Sequence, residues 1–108
     1  MKGLHADDFD PATRAYPFPD GDIAPGITVT ESSVTFTGQR GPILEHGVNG
    51  CQIDDMILFA RMTLQAFYEK SPCRETALAV TKLQEAEHWL AERTRDRQAR
   101  GAEGKSVP

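Results

Sequence analysis

The hydrophobic positions of the chain change from partial alternation to a helical period near residue 50. Residues 27–37, ITVTESSVTFT, are rich in β-branched side chains. Ile27 and Val29 share one face, and Val34 and Phe36 share another. With Glu-Ser-Ser as a turn between them, the segment predicts a short hairpin or two edge strands. A lone two-stranded hairpin is marginal in water, so it must pack on a helix or on another copy of the chain.

Two helices are predicted after the strands. From residue 52 to residue 69 the apolar positions recur every three or four residues, which indicates an amphipathic helix. Ser71 suits the N-cap and Pro72 the first position of a second helix, which we expect to end near Arg100, before Gly101. The short turn predicts an antiparallel helical hairpin. The apolar stripes are Ile53, Ile57, Ala60, Leu64 and Phe67 in the first helix and Ala79, Leu83, Ala86 and Leu90 in the second.

These patterns divide the chain into four parts. Residues 1–26 are rich in proline and aspartate and show no period, a composition that does not bury a core by itself, so an irregular N-terminal arm is expected. Residues 27–48 form a short β-strand region, residues 49–101 a helical-hairpin domain and residues 102–108 a disordered tail. The predicted class is α+β, with short N-terminal strands followed by a long antiparallel two-helix hairpin. Because this core is thin for a monomer, we expect the chain to assemble as an oligomer.

Charge and composition exclude several classes of protein. The formal net charge is −4, with nine acidic and three basic residues up to Asp55 and seven acidic and nine basic residues after it. Because only the last helix is locally basic, a small anion is favoured as a partner over DNA. No apolar run has the length of a membrane span or a secretory signal. Cys51 and Cys73 lack metal-site spacing, which makes a reduced, intracellular protein the default.

An arginine-rich segment, ERTRDRQARG, follows the apolar stripe of the second helix. Continued beyond Leu90 in steps of three and four residues, the stripe reaches Arg93 and Arg97. Two arginines one helical turn apart can hold a phosphate or pyrophosphate through bidentate hydrogen bonds. The alternative is a frayed helix end, at which the helix dipole favours cations.

The residues that would complete an anion site lie at the other end of the hairpin. Phe67 ends the first helix, and Thr76 lies in the first turn of the second, about 25 Å from Arg93 along the same helix. An antiparallel partner copy brings its own hairpin turn beside the arginines. A site between protomers would offer an aromatic ring for a base, with a helix N-terminus and arginines for phosphates.

The sequence offers no catalytic or metal-binding set, so we expect neither an enzyme nor a cofactor. Cys73 and His88 are about 22 Å apart on one helix, too far for a Cys-His pair within the chain. Asp54 and Asp55 are adjacent on a helix and point apart, so they do not form a metal pair.

The segment CRETALAVTKLQEAEHWLAERTRDRQARG, with GPILEHGVNGCQIDD before it, resembles the hairpin-domain family of phage anti-defence proteins. This family includes the Thoeris anti-defence sponge and the anti-CBASS sponge. The resemblance covers about residues 41–104, and the N-terminal strands favour the Thoeris branch. It implies helical hairpins assembled as homodimers or hexamers, and a protein that binds a cyclic signalling nucleotide intact in the cytoplasm of the infected bacterial host.

The resemblance also implies a ligand and the residues that contact it. The ligand is a cyclic ADP-ribose isomer in the Thoeris branch and a cyclic oligonucleotide in the anti-CBASS branch. Thr76 replaces the asparagine of the family pattern. The turn FYEKSPCRE is one residue shorter than that pattern, which makes Tyr68 an alternative to Phe67 as the stacking residue. The implied residues are Phe67, Thr76, Arg93 and Arg97 for the pocket and Arg40 and His46 for a possible second ligand site.

A rival interpretation requires no ligand. In it, the chain is a helical-hairpin interaction or assembly protein that binds a phage or host protein and no nucleotide. It relies on the same argument for assembly and treats the arginines as surface residues. The two interpretations differ in whether Arg93 and Arg97 face a cavity between protomers.

Overall fold

A computed structural model describes Asp7 and residues 9–101, and shows a small antiparallel sheet followed by a helical hairpin. The tail predicted at residues 102–108 lies outside this part. The architecture confirms the α+β class, with strands preceding two long helices. In chain order the elements are β1 (Gly21–Ala24), β2 (Ile27–Val29), β3 (Val34–Phe36), the one-turn helix α1 (Ile43–His46), α2 (Ile53–Lys70) and α3 (Arg74–Ala99).

The sheet has three strands in the order β1-β2-β3, where the sequence pattern predicts two. The additional strand, β1, lies in the segment for which no strand is expected. In the β2–β3 pair, Ile27 is opposite Phe36 and Val29 is opposite Val34. Directly opposed residues of antiparallel strands lie on the same face. The four apolar side chains therefore share one face of the sheet, and the assignment of two faces is wrong.

The buried core lies between this face of the sheet and the first half of α2. Phe59 is buried at its centre, and its ring stacks on Phe18 with 4.7 Å between the ring centroids. The Phe36 ring meets Phe59 edge-on at 5.5 Å, and Ile27 and Val29 are buried in the same cluster. Phe18 belongs to the N-terminal arm. A segment whose composition suggests no core therefore supplies one of the most buried side chains.

The stripe predicted for the first helix is not the face that the sheet covers. Ile53 is 67% exposed, Phe67 is 36% exposed and Ala60 is also exposed. Phe59, which is outside the predicted stripe, faces the sheet instead. Helix α2 is therefore apolar on two faces, and the sheet covers the one that the periodicity did not select.

Helices α2 and α3 pack against each other and are joined by three residues. The predicted stripe of α3 is half-buried along this contact. The Ser71 N–H donates to the Phe67 carbonyl at 2.9 Å, so Ser71 closes α2 and does not begin the next helix. Cys73, in an extended conformation, is the N-cap of α3. The second helix therefore begins two residues later than predicted. It ends just before Gly101, whose φ is 70°.

The loop that precedes α2 lies close against the end of the sheet. The Cys51 N–H donates to the Thr37 carbonyl at 2.8 Å. Gly26 has a φ of 77°, and a Cβ at this position would lie 2.3 Å from the Cys51 backbone nitrogen. A glycine is required here because it accepts the left-handed conformation and leaves room for the approaching backbone. This contact fixes the start of α2 relative to the sheet.

Candidate functional site

The hairpin turn carries Phe67 and Thr76, two of the predicted pocket residues. The Phe67 ring is one-third exposed and meets the buried ring of Phe9 edge-on, with 5.3 Å between centroids and an interplanar angle of 86°. Thr76 is half-buried, and its Oγ1 lies 3.0 Å from the Sγ of Cys73. This side-chain hydrogen bond, together with backbone N–H groups at the start of α3, lowers the pKa of the Cys73 thiol. The turn therefore presents an aromatic ring beside a polar helix N-terminus.

The opposite end of α3 carries Arg93 and Arg97, and their environments differ. Arg97 is only 8% exposed, and it has an interaction partner within the protein. Arg93 is exposed. The half-buried line of α3 continues from Leu90 through Thr94 to Arg97, and Arg93 lies beside it. The prediction that both guanidinium groups follow the buried stripe is correct for Arg97 and wrong for Arg93.

One chain does not bring the four predicted pocket residues together. Thr76 and Arg93 are 17 positions apart on a single helix, which corresponds to about 25 Å at 1.5 Å per residue. Phe67 and Thr76 share the turn end of the hairpin, whereas Arg93 and Arg97 share its other end. A pocket that uses all four therefore needs a second protomer.

The candidates for a second site, Arg40 and His46, lie in the connection between β3 and α2, with His46 as the last residue of α1. Both side chains are exposed. The Arg40 N–H donates to the Asn49 Oδ1 at 2.7 Å, and the Asn49 Nδ2 donates to the Arg40 carbonyl at 2.9 Å, which closes the loop. Gln39 supports the closure by donating to the Gly47 carbonyl at 2.8 Å. The loop therefore presents the two residues on a well-supported backbone.

A groove of about 540 Å³ separates the arm from the second half of α2. It exists because the strands are short. A three-residue strand covers about 10 Å, whereas the 18 residues of α2 extend for about 27 Å. Among the described residues, the arm covers this face of α2 beyond the sheet. The sequence pattern does not reveal the groove because the arm has no period that marks its contacts. The lining includes Asp7 and Phe9 of the arm and Arg61, Gln65 and Glu69 of α2.

Arg61 links this groove to α3. Its Nε donates to the Glu87 Oε2 at 2.9 Å, and its Nη2 donates to the Glu87 Oε1 at 3.2 Å. Its Nη1 donates to the Gln65 Oε1 at 3.0 Å. Both charged side chains are partly buried. The bidentate geometry fixes the position of α2 against α3 along the hairpin.

Two further titratable groups, Asp55 and Cys51, lie at the start of α2 and have structural roles. The Asp55 carboxylate accepts the Gln52 N–H at 2.8 Å and so caps the start of α2. Burial raises the pKa of the Cys51 thiol, and Asp55 adds to this shift. Within the described residues, no group of three or more His, Cys, Asp and Glu side chains could hold a metal ion. No helix in this part of the chain has the length and apolar character needed to cross a membrane.

Comparison with known proteins identifies the family. The family model of the Acb2/Tad1 hairpin domain matches residues 31–95. The chain belongs to the Acb2/Tad1 hairpin-domain family. It is 46% identical over 71 residues to the curated protein Thoeris anti-defense 1 of Bacillus phage SBSphiJ7. The alignment covers 65% of this chain and 50% of that protein, so the chain spans about half the length of this relative.

The family match confirms the resemblance carried by the CRETALAV segment. Phe67, Thr76 and Arg93 lie within the matched residues, and Arg97 lies two positions beyond them. The match also includes β3 and the whole of α2. The hairpin turn and most of α3 are therefore family features, whereas β1, β2 and the arm precede the matched segment.

Proposed function

We propose that this protein is a non-catalytic anti-defence sponge that binds a cyclic nucleotide signal of bacterial immunity and holds it intact. The observation that carries the proposal is membership of the Acb2/Tad1 hairpin-domain family, together with similarity to a protein named Thoeris anti-defense 1. A cyclic ADP-ribose isomer is the first candidate ligand, and a cyclic oligonucleotide of CBASS is the second. The protein would act in the cytoplasm of an infected bacterium and would withhold the signal from its effector.

The proposed pocket lies between protomers. One protomer supplies Phe67 and Thr76 from its hairpin turn, and the partner supplies its copies of Arg93 and Arg97. The separation of these pairs along one hairpin supports this arrangement, because an antiparallel partner places one pair beside the other. The exposed part of the Phe67 ring is available to stack on a base, and the exposed Arg93 is available to a phosphate.

Self-association, as a homodimer or hexamer, is supported by the apolar surface of the hairpin. Ile53 and Ala60 are exposed on α2, and Trp89 is 68% exposed on α3. Leu78 is also exposed, on the same side of α3 as Trp89 by helical spacing. Exposed apolar side chains of this size on neighbouring helices are typical of a surface that another protein covers.

Thr76 bears on the choice of ligand. A hydroxyl group lacks the two-sided donor and acceptor pattern of an amide. The hydroxyl of Thr76 is also within hydrogen-bond distance of Cys73. The loop with Arg40 and His46 is the proposed second site, where exposed cationic and imidazole groups would meet a cyclic oligonucleotide.

The test is a binding screen with cyclic ADP-ribose isomers and cyclic di- and trinucleotides. A ligand at about 100 times its dissociation constant stabilises the folded protein by roughly 2.7 kcal/mol, which a thermal-shift assay detects. Mass spectrometry of the ligand released by heating should return the same molecule. If no nucleotide in the screen raises the melting temperature, or if the ligand is recovered cleaved, the sponge proposal is wrong.

A matched pair of variants tests the site. Arg93→Ala/Arg97→Ala should remove binding and keep the assembly state. Arg95→Ala is the control, because Arg95 lies on the same helix and is exposed in an ion pair with Glu92 one turn away. Full binding by the double variant would show that the pocket lies elsewhere.

The rival function is a helical-hairpin interaction protein that binds no nucleotide. The exposed Trp89 favours it, since a tryptophan on a helix surface is typical of a protein contact. Light scattering with and without nucleotide separates the two functions. A chain that binds no nucleotide, whatever its assembly state, fits the rival.

A further inference from the structure

The groove between the arm and α2 opens beside the ring that is expected to stack on a base. Phe9 lines the groove, and its ring packs at a right angle to the Phe67 ring, with 5.3 Å between the centroids. Phe9 therefore connects the groove with the hairpin turn. The volume of about 540 Å³ falls within the range of small-molecule sites, which is roughly 300–1,000 Å³. A ligand that stacks on Phe67 has this space immediately next to it.

The lining has an apolar and a polar part. The apolar part is the buried ring of Phe9 with the half-buried side chains of Met62 and Ala66. The polar part includes two exposed carboxylates, Asp7 on the arm and Glu69 on α2, and two cations, Arg61 and Lys70. The guanidinium of Arg61 is held by Glu87 and Gln65, and Lys70 also has an interaction partner. Within the described residues, neither carboxylate takes part in a hydrogen bond or an ion pair. The groove thus offers a flat apolar wall and two carboxylates that are available as hydrogen-bond acceptors.

This combination suits a nucleoside better than a phosphate. A carboxylate accepts hydrogen bonds from the hydroxyl groups of a ribose, as acidic residues do in dinucleotide-binding sites. The carboxylates also repel phosphate oxygens, whereas the guanidinium of Arg61 in the same lining is already engaged by Glu87 and Gln65. The phosphates of the ligand would therefore turn away from the groove, towards the arginines at the far end of a partner's α3.

We infer that the groove between the arm and α2 is the nucleoside subsite of this protein, in which Phe9 forms the wall and Asp7 and Glu69 accept ribose hydroxyl groups. The inference rests on the proposed function and deepens it. It adds Phe9, Asp7 and Glu69 to the residues that contact the ligand, and all three come from the protomer that supplies Phe67. It also gives the N-terminal arm a role in ligand recognition.

The experiment compares two double variants by isothermal titration calorimetry. Asp7→Asn/Glu69→Gln removes both carboxylates of the groove. Asp22→Asn/Glu31→Gln is the control, because it removes the same charge from the exposed side of the sheet and retains the oxygen of Asp22 that accepts from Thr28. All four positions are exposed, so both variants should melt like the wild type without ligand. The probes are a cyclic ADP-ribose isomer and inorganic pyrophosphate.

The groove variant should bind the cyclic ADP-ribose isomer roughly ten-fold more weakly than the control, since hydrogen bonds to charged acceptors are lost. Its affinity for pyrophosphate should stay equal or rise. Unchanged affinity of the groove variant for the cyclic ADP-ribose isomer overturns the inference. Higher affinity for this nucleotide overturns it as well, because it would place phosphates in the groove. If the wild type binds neither the cyclic ADP-ribose isomer nor any cyclic di- or trinucleotide of the screen, the proposed function and the subsite fall together. If the wild type binds and the groove variant matches it, the subsite alone falls.

Discussion

Phe59 joins the arm, the sheet and the helical hairpin, so its truncation should unfold much of the chain. The buried ring packs against two rings of the arm, Phe18 and Tyr16, at centroid distances of 4.7 and 5.4 Å, and against Phe36 of β3 at 5.5 Å. Phe59→Ala removes all three aromatic contacts at once. Leu44→Ala, at a position that is 70% exposed, is the control for loss of a large apolar side chain.

The magnitude follows from the contacts. Phenylalanine-to-alanine changes in a core cost about 3–5 kcal/mol, and three ring contacts place Phe59 in the upper part of that range. For a chain of this length, each kcal/mol lowers the melting temperature by roughly 4–8 °C. A small domain has only about 5–15 kcal/mol of stability, so much of it would be lost. Leu44→Ala should stay within about 0.5 kcal/mol of the wild type.

The assay is urea unfolding followed by far-ultraviolet circular dichroism at one fixed protein concentration. The concentration is fixed because self-association would add to the apparent stability. Circular dichroism is preferred because it follows the helices directly, whereas Trp89 lies on the proposed self-association surface and its fluorescence would also report dissociation. Phe59→Leu, a milder change, remains measurable if the alanine variant does not fold. If Phe59→Ala and Leu44→Ala unfold at the same urea concentration, the sheet and arm do not pack on α2 as described.

Three further predictions concern the loop contact, the hairpin and the turn. Gly26→Ala should cost about 2–4 kcal/mol in urea unfolding, because φ is 77° and the new Cβ meets backbone; a loss below 0.5 kcal/mol would contradict the close approach. A double-mutant cycle with Arg61→Met and Glu87→Gln should give a coupling of about 0.5–1 kcal/mol, since the ion pair is partly buried, and zero coupling would refute its role in the hairpin. Thr76→Val should raise the pKa of the Cys73 thiol towards its ordinary value, because the hydrogen bond that lowers it is removed. The thiolate fraction at neutral pH then falls, and alkylation by iodoacetamide should slow; equal rates across the pH range would count against that hydrogen bond.

The strands show where the sequence pattern was sufficient and where it was not. The alternation of apolar and polar residues identifies β2 and β3, because one face of each strand packs on the core and the other is exposed to solvent. It does not identify β1, whose sequence is GDIA and whose pairing with β2 shifts register between Asp22 and Ala24. This strand forms because β2 offers it a partner, and pairing of this kind leaves little trace in the propensity of the segment itself. The burial of Phe18 has the same origin, since the irregular arm becomes ordered against Phe59.

The helices show a different limit. Their type and approximate ends follow from periodicity, Gly101 and the turn residues, and the structure moves the start of α3 by two positions. Periodicity also finds a genuine apolar face of α2, yet the sheet covers another face centred on Phe59. An apolar stripe indicates that something covers it and does not say what. The exposed Ile53 would be covered by the proposed partner protomer. The sequence pattern does not tell whether an apolar stripe is covered by a partner or by the sheet of the same chain.

The two arginines of the proposed site follow from the same geometry. At about 100° per residue, Thr94 lies only about 20° from the line of Leu83, and Arg97 lies about 40° from it. Arg93 lies about 80° from the line of Leu83. It is three residues after Leu90, whereas Thr94, four residues after Leu90, stays close to the line. The spacing of four residues suggests that Arg93 and Arg97 are equivalent. In the packed structure Arg97 is buried and Arg93 is exposed. A ligand that contacts both would lie along the edge of the hairpin, where the proposed partner's turn would meet it.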